Sequence, residues 1–302
     1  MSKVLVPLLA AALLAACATP ARKPVAEAAP APVAAAVVAP AAAPAIAADD
    51  NLNAVAWTQT AVEHDLVYRQ AFHAAGEKLL KALKDRSWDA LSREDRTNAF
   101  ARLKPAVIVD IDETMLDNSP YQARLVRDGA SYDEFTWAQW CREKTAKPMP
   151  GALEFAQLAA KHGVTVFYLS NRSQDLNEAT VENLRAAGFP LASDEVFLGL
   201  GTVVPGCEQV GSEKGCRRQL VGREHRVLLQ LGDQLGDFLD VLVNTPDGRR
   251  TAVAPYLDWV GERWFVLPNP TYGSWQPALF NNEWSRPAAE RRQATLDALR
   301  YH

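Results

Sequence analysis

The chain has 302 residues, 48% of them hydrophobic, which is enough for one large globular domain or two small ones. Its formal net charge of −4 and its pI near 5.8 provide no basic field for a polyanion, so we expect no nucleic acid among its partners. The composition does not exclude a small phosphorylated ligand.

The first 16 residues have the pattern of an export signal. Lys3 precedes a short apolar segment that ends in small residues, and this segment is too short for a stable membrane span. The sequence Leu-Ala-Ala before Cys17 resembles the lipobox of bacterial lipoproteins, which implies lipidation of that cysteine. Ala18 follows instead of an aspartate, so we expect an outer-membrane, lipid-anchored protein. An ordinary signal peptide is the alternative.

Residues 17–52 are dominated by alanine, proline and valine. The prolines break helices and favour an extended chain, so we interpret this segment as a tether between the anchor and a folded domain over residues 53–302.

The folded part begins with apolar residues at helical spacing from Trp57 to Lys84, which predicts one long amphipathic helix. Beyond it, strands and helices alternate. We predict strands over 106–111, 164–169, 195–198, 226–231 and 264–267, and helices over 133–140, 152–161, 176–187 and 287–300. This order predicts an α/β fold, a Rossmann-like open parallel sheet with helices on both faces.

Polar residues follow three of these strands. Asp110, Ser170 and Asp233 each stand at a strand end, and ligands of open parallel sheets bind at the carboxyl ends of the strands. Asp112 lies one residue beyond Asp110, so two like charges come close together. A hard cation such as Mg²⁺, which prefers oxygen ligands, would relieve that repulsion if Asp110 and Asp233 shared it.

Each of these clusters is weak alone. A pair of acids can be a solvated loop entry, Ser170 ordinary turn chemistry, Lys214 a surface lysine, and Asp233 a helix cap. Their order along the chain favours a common site, in which a carboxylate nucleophile, a phosphate-binding serine and a charge-neutralising lysine serve phosphoryl transfer.

Four segments in this order, DIDET, LSNR, a lysine and GDQLGD, resemble the haloacid dehalogenase superfamily of phosphohydrolases over roughly residues 105–240. The wider set DIDETMLDNSPY, Trp137 with Trp140, LSNR, GDQLGDF and LPNPTYGSW is similar to the lipoprotein e family of class C acid phosphatases and 5′-nucleotidases. The resemblance implies a small helical cap region, with cap-like elements at about 119–148 and 262–302.

The resemblance also implies roles for individual residues. Asp110 would be the nucleophile that forms an aspartyl-phosphate, and Asp112 would be the general acid and base. Mg²⁺ would be held by the Asp110 carboxylate, the Asp112 backbone carbonyl and Asp233, with Asp237 close by. Phosphate would be bound by Ser170, Asn171 and Lys214, and a nucleoside base or aryl group would stack on Trp137 and Tyr272.

Cys207 and Cys216 flank the short segment EQVGSEKG, so a local disulfide is plausible in an exported protein, with Cys141 left unpaired and buried. The absence of a Cys-x-x-Cys pair disfavours a zinc site. Lys214 lies in the stretch GLGTVVPGCEQVGSEKGCRR, which is longer than the family pattern and carries cysteines, so Arg217 and Arg218 remain alternatives for the phosphate-binding cation.

Together these features predict a Mg²⁺-dependent acid phosphatase and 5′-nucleotidase acting on nucleoside monophosphates and aryl phosphates. Two rivals remain: a phosphotransferase that uses the same intermediate, and a non-catalytic surface lipoprotein that binds a ligand. A homodimer is also left open.

Overall fold

The structure is a computed structural model that describes residues 48–302. Its helices and strands, in chain order, are α1 (Leu52–Thr60), α2 (Val62–Lys84), β1 (Lys104–Val109), β2 (Leu116–Asp117), α3 (Ser119–Asp128), α4 (Glu134–Glu143), β3 (Lys147–Pro148), α5 (Ala152–Lys161), β4 (Thr165–Leu169), α6 (Asn177–Ala186), β5 (Phe197–Leu198), α7 (Gly215–Glu224), β6 (His225–Gly232), α8 (Pro246–Val253), β7 (Trp264–Val266) and α9 (Ala288–Asp297). The signal, Cys17 and most of the tether lie outside the described residues.

The centre of the fold is a five-stranded sheet in the order β5-β4-β1-β6-β7, in which every pairing is parallel. Strand β1 lies in the middle, and its last residues are apolar and buried. Val107 and Val109 belong to one core cluster, whereas Ala106 and Ile108 belong to the other. Because successive side chains of a strand point to opposite faces, such a run needs helices on both sides of the sheet.

Helices cover both faces. On one face α2 and α5 pack together, and Phe72 and Phe155 join the cluster of Val107. Gly76 of α2 permits this approach, since a Cβ there would meet the Leu158 side chain at 3.0 Å. On the other face Val221 of α7 packs in the cluster of Ile108. The predicted α/β fold class is confirmed.

The predicted first helix is interrupted. Ala61 has extended backbone angles, φ −80° and ψ 125°, and separates α1 from α2. The break has a cause in the tertiary packing. Helix α1 packs on α3, whereas α2 packs on α5 and the sheet, so the two helices need different directions. Helix α1 begins at Leu52, at the end of the segment assigned to the tether.

Helix α7 is absent from the sequence prediction, and it carries Lys214 at its N-terminus. Its arginines at 217 and 218 are fully buried, so its buried face is not apolar and the periodic signal is lost. Helices α3 and α8 are also absent from the prediction, and each is a polar segment with a proline in its first turn.

Strands β2 and β3 form a small antiparallel ladder, and α3 and α4 lie between them in sequence. Helices α3 and α4 and strand β3 fall in the segment 119–148 that is predicted to be cap-like, and β2 lies just before it. Strand β7 falls in the predicted C-terminal cap-like segment, yet it pairs with β6 in the central sheet. Within residues 48–302, no helix combines the length and hydrophobicity needed to cross a membrane.

Candidate active site

The loops after β1 and β6 bring three carboxylates together. One oxygen each from Asp110, Asp233 and Asp237 lies within 4.8 Å of the others. Asp110 directly follows β1, and its backbone N–H donates to the Leu231 carbonyl at 2.9 Å, which extends the strand pairing to the site. Asp237 is held by the backbone N–H of Gln234 at 2.8 Å. We call this group the carboxylate cluster.

Lys214 is the cation at the carboxylate cluster. Its Nζ donates to Asp110 Oδ1, to Asp237 Oδ1 at 2.8 Å and to the Leu169 carbonyl at 2.8 Å. Burial lowers the pKa of this lysine, but the two aspartates outweigh burial and the pKa lies above its ordinary value. The ammonium is therefore charged where it meets the acids.

The alternative cations are bound elsewhere. Arg217 donates to the Ser170 carbonyl at 2.6 Å and to Asn171 Oδ1 at 2.6 Å. Arg218 pairs with Asp95 and Asp240, each at 2.6 Å. Among these three residues, only Lys214 contacts Asp110, so the geometry favours the predicted lysine.

The carboxylate cluster is electrostatically unbalanced. Burial raises the pKa of Asp110 well above its ordinary value, and this exceeds the opposing attraction of Lys214. Burial, followed by the charge of Asp237, raises the pKa of Asp233 to about 7. Three acids with one lysine carry excess negative charge, which protons or a cation must neutralise. The oxygen donors fit a hard divalent cation.

Asp112 lies outside the carboxylate cluster. Its Oδ1 accepts hydrogen bonds from Arg172 Nε at 3.0 Å, Arg172 Nη2 at 2.7 Å and Asn118 Nδ2 at 2.9 Å. Its Oδ2 accepts from the Ser170 hydroxyl at 3.2 Å. The side chain of Asp112 therefore points to a separate set of donors. The prediction that its backbone carbonyl faces a metal stays a prediction.

Ser170 and Asn171 differ in their surroundings. Ser170 is fully buried, and its hydroxyl accepts from the Arg172 backbone N–H at 3.0 Å. Asn171 is exposed, and its side-chain oxygen is engaged by Arg217. Ser170 thus lies beside the predicted acid, whereas the side chain of Asn171 faces an arginine.

Each of the two predicted stacking residues is linked to an acid through the side chain of another residue. The Trp137 ring lies 5.4 Å from the guanidinium of Arg172, the partner of Asp112, and 5.2 Å from the ring of Tyr121. The Tyr272 carbonyl accepts from Gln234 Nε2 at 3.4 Å, and the same amide donates to Asp233 at 2.7 Å.

A family model supports what this geometry suggests. The model for the HAD superfamily, subfamily IIIB (acid phosphatase), matches residues 12–275. The chain belongs to this family. The family and fold expected from the short motifs are therefore confirmed, and membership places the chain among phosphomonoester hydrolases.

Solved structures of the acid phosphatase family superpose over most of the chain. The class C acid phosphatase from Bacillus anthracis is 32% identical with a TM-score of 0.71, covering 83% of this chain and 97% of that one. The same enzyme with tungstate bound gives a TM-score of 0.72, with equal identity and coverage.

Curated plant relatives match over a shorter region. Acid phosphatase 1 of Solanum lycopersicum is 29% identical over 165 residues, which is 55% of this chain and 57% of that protein. Vegetative storage protein 1 of Arabidopsis thaliana is 26% identical over 166 residues, with 55% and 54% covered. The chain thus spans little more than half the length of these curated relatives.

Several residues of this acid phosphatase-family site are missed by the sequence reasoning. Arg172 and Asn118 bind Asp112, and Asn269 donates to Asp233 Oδ2 at 2.8 Å. Arg172 directly follows a predicted strand end, and Asn118 lies in the segment after the two acids. Their positions gave a signal, but only the tertiary contacts show what they bind.

The loop that carries Lys214 is closed by a disulfide between Cys207 and Cys216. Cys141 is a buried free cysteine. Lys214 therefore stands inside the disulfide-closed segment, two residues before its second cysteine.

Proposed function

We propose that the protein is a Mg²⁺-dependent acid phosphatase and 5′-nucleotidase that hydrolyses phosphomonoesters through an aspartyl-phosphate on Asp110. The observation that carries this proposal is the different placement of the two neighbouring acids. Asp110 stands in the carboxylate cluster against Lys214, whereas Asp112 is held apart by Arg172 and Asn118.

In the first half-reaction, a carboxylate oxygen of Asp110 attacks phosphorus while the bond from phosphorus to the leaving oxygen breaks. Asp112 gives its proton to that oxygen, so an alcohol departs neutral, whereas an acidic phenol can depart as the phenolate. Lys214 faces the nucleophile and offsets the negative charge of the transferred group. A divalent cation held by Asp110, Asp233 and Asp237 would supply further electrostatic stabilisation of that charge.

In the second half-reaction, water attacks the phosphorus of the aspartyl-phosphate. Asp112, now a carboxylate, takes a proton from this water, and inorganic phosphate leaves as Asp110 is restored. The side chain of Asp112 is 18% exposed and that of Asp110 is 8% exposed, which suits the former to exchange protons with substrate and water.

The tungstate complex of the Bacillus anthracis enzyme supports the same chemistry, since tungstate is a tetrahedral oxyanion like phosphate. For the substrate, we propose nucleoside monophosphates and aryl phosphates. An aromatic leaving group would stack on Trp137 or Tyr272, which adjoin Asp112 and Asp233 through Arg172 and Gln234.

For the location, we propose an exported protein that is attached to the outer membrane by a lipid on Cys17. This rests on the export-signal pattern and the lipobox-like sequence alone. Hydrolysis of nucleotides outside the cytoplasm would leave nucleosides and phosphate for uptake.

The test measures phosphate release by the purified full chain from nucleoside monophosphates, dinucleotides and aryl phosphates. We expect activity on the monoesters, loss of activity with a chelator, and recovery on addition of Mg²⁺. Rapid acid quenching followed by peptide mass spectrometry should find phosphate on Asp110. Turnover that survives chelation, or phosphate trapped on another residue, would contradict the proposal.

A further inference from the structure

The two oxygens of Asp112 have unequal surroundings. Three N–H donors, two from Arg172 and one from Asn118, converge on Oδ1 at 2.7–3.0 Å. The described contacts of Oδ2 consist of one hydroxyl, that of Ser170, at 3.2 Å. A carboxyl oxygen has two lone pairs, so an oxygen that already accepts three hydrogen bonds has no place for a proton.

Arg172 is itself held rigidly. Its side chain is 1% exposed, and its Nη1 donates to Thr180 Oγ1 of α6 at 3.2 Å. Its Nη2 also donates to Asn118 Oδ1 at 3.2 Å. A planar guanidinium with several fixed partners can orient a carboxylate, which a flexible ammonium does less well.

Asn118 is held in the same way. It is fully buried, its Oδ1 accepts from the Trp140 indole N–H at 2.8 Å, and its backbone N–H donates to Glu113 Oε1 at 2.8 Å. Because Oδ1 accepts from Trp140, the amide N–H₂ of Asn118 is the group that faces Asp112. Both donors to Asp112 Oδ1 are thus anchored to the helices α6 and α4.

We propose that Arg172 is a positioning residue for proton transfer: together with Asn118 it fixes Asp112 through Oδ1, so that Oδ2 carries the proton given to the leaving oxygen. This inference rests on the proposed role of Asp112 as general acid. The guanidinium also lies against the Trp137 ring, so one side chain aligns the acid and supports the surface on which an aromatic leaving group would stack.

Substrates differ in how much their leaving oxygen needs a proton, and only those that need it depend on a correctly placed Asp112. A 4-nitrophenolate departs without protonation, whereas the alkoxide of 4-nitrobenzyl alcohol requires it. The two phosphate esters carry the same nitroaromatic ring, so stacking on Trp137 is matched. The comparison uses kcat/KM, which reports the steps up to release of the alcohol or phenol. Hydrolysis of the aspartyl-phosphate follows that release, is common to both substrates and does not enter the comparison.

The experiment compares Arg172→Lys with wild type on 4-nitrophenyl phosphate and 4-nitrobenzyl phosphate in the presence of Mg²⁺. We expect kcat/KM for the benzyl ester to fall on the order of 10- to 100-fold further than for the phenyl ester, because a misaligned acid fails where the proton is needed. The ratio of the two values comes from one preparation, so a lower folded fraction does not change it.

The matched control is Arg218→Lys, the same change at an equally buried arginine that contacts Asp95 and Asp240 instead of Asp112. It should leave the ratio at its wild-type value. Asn118→Ala, which removes the other donor to Oδ1, should shift the ratio in the same direction as Arg172→Lys, and it provides the test if the arginine variant does not fold.

Asp112→Asn separates a failure of the positioning role of Arg172 from a failure of the acid role of Asp112. If it spares the phenyl ester and Arg172→Lys lowers both esters equally, Arg172 does not position the acid and this inference is overturned. If Asp112→Asn itself lowers both esters equally, the proposed acid role of Asp112 fails instead. The double variant that combines Arg172→Lys with Asp112→Asn should have the same ratio of the two kcat/KM values as Asp112→Asn alone.

Discussion

Asp110 and Asp112 are separated by one residue, yet their surroundings are opposite in charge. The carboxylate cluster around Asp110 gathers three acids against one lysine. Asp112 is a single acid that faces a buried arginine, an amide and a hydroxyl. In the carboxylate cluster the negative charges outnumber the positive one, whereas the single charge of Asp112 is balanced by Arg172. Two identical side chains in near-adjacent positions can therefore serve different chemistry because their partners differ.

The partners differ because they come from different parts of the chain. The carboxylate cluster is completed by the loop after β6 and by the N-terminus of α7, whereas Asp112 is held by the residues after β4 and before α3. The first region is suited to a cation and a nucleophile, and the second to proton transfer.

The largest expected effect comes from exchanging the acids for amides. Asp110→Asn should lower kcat by roughly 10⁴-fold or more, since no other group replaces the nucleophile. Asp112→Asn should lower it by about 10²- to 10⁴-fold, the usual contribution of a general acid and base. Steady-state kinetics with a nucleoside monophosphate measure both. Equal activity of the Asp110 variant and wild type would remove the distinction between the two regions.

A smaller loss is expected from Lys214→Ala. Removing the charge that offsets the transferred group should lower kcat by about 10²- to 10³-fold, as for other groups that stabilise developing charge. Arg217→Ala is the matched control, because this buried arginine contacts Asn171 and the Ser170 carbonyl but not Asp110. Its kcat per folded molecule, with folded protein measured by circular dichroism, should stay near wild type. The reverse ranking would move the phosphate-binding role to Arg217.

Trp137→Ala tests the aromatic surface beside Asp112. Stacking of a base contributes about 1–3 kcal/mol, so kcat/KM for a nucleoside monophosphate should fall on the order of 5- to 150-fold. Glycerol phosphate has no ring and should lose little. A similar loss for both substrates would indicate that Trp137 packs in the fold and does not contact the leaving group.

The smallest effect concerns the stability of the metal-free protein. Because the pKa of Asp233 is raised from 3.8 to about 7, the folded state binds more protons than the unfolded state between these two pH values, and the free energy of unfolding falls as the pH rises through this range up to about 7. Relative to Asp233→Asn, the wild type in chelator should lose roughly 5–10 °C of Tm between about pH 5 and about pH 8, since two pKa units below the folded value correspond to about 2.7 kcal/mol.

Addition of Mg²⁺ should reverse this loss most strongly at the higher pH, where the carboxylates no longer hold protons. Thermal scans at each pH, with and without the cation, measure it. A wild-type Tm that follows the Tm of the variant across the whole pH range would show that the Asp233 carboxyl has an ordinary pKa.

Much of the fold was predictable because its signals are local. The apolar runs of β1, β4 and β6 and the helical spacing of α5 are visible in short windows of sequence. The break at Ala61 and the helix α7 were not predicted, because the first depends on which neighbours α1 and α2 pack against and the second buries arginines where a periodic pattern expects apolar residues.

The sequence by itself determined the alternating α/β order, the acids at the strand ends and the resemblance of the motifs to a phosphatase family. Residue type and spacing are enough for these, since parallel strands bring their carboxyl ends to one edge. Tertiary structure alone decided which donor meets which acid. Lys214 reaches Asp110 across 104 residues of chain, and Arg172 reaches Asp112 across 60. Such pairings arise from the packing of separate elements, which no local pattern records.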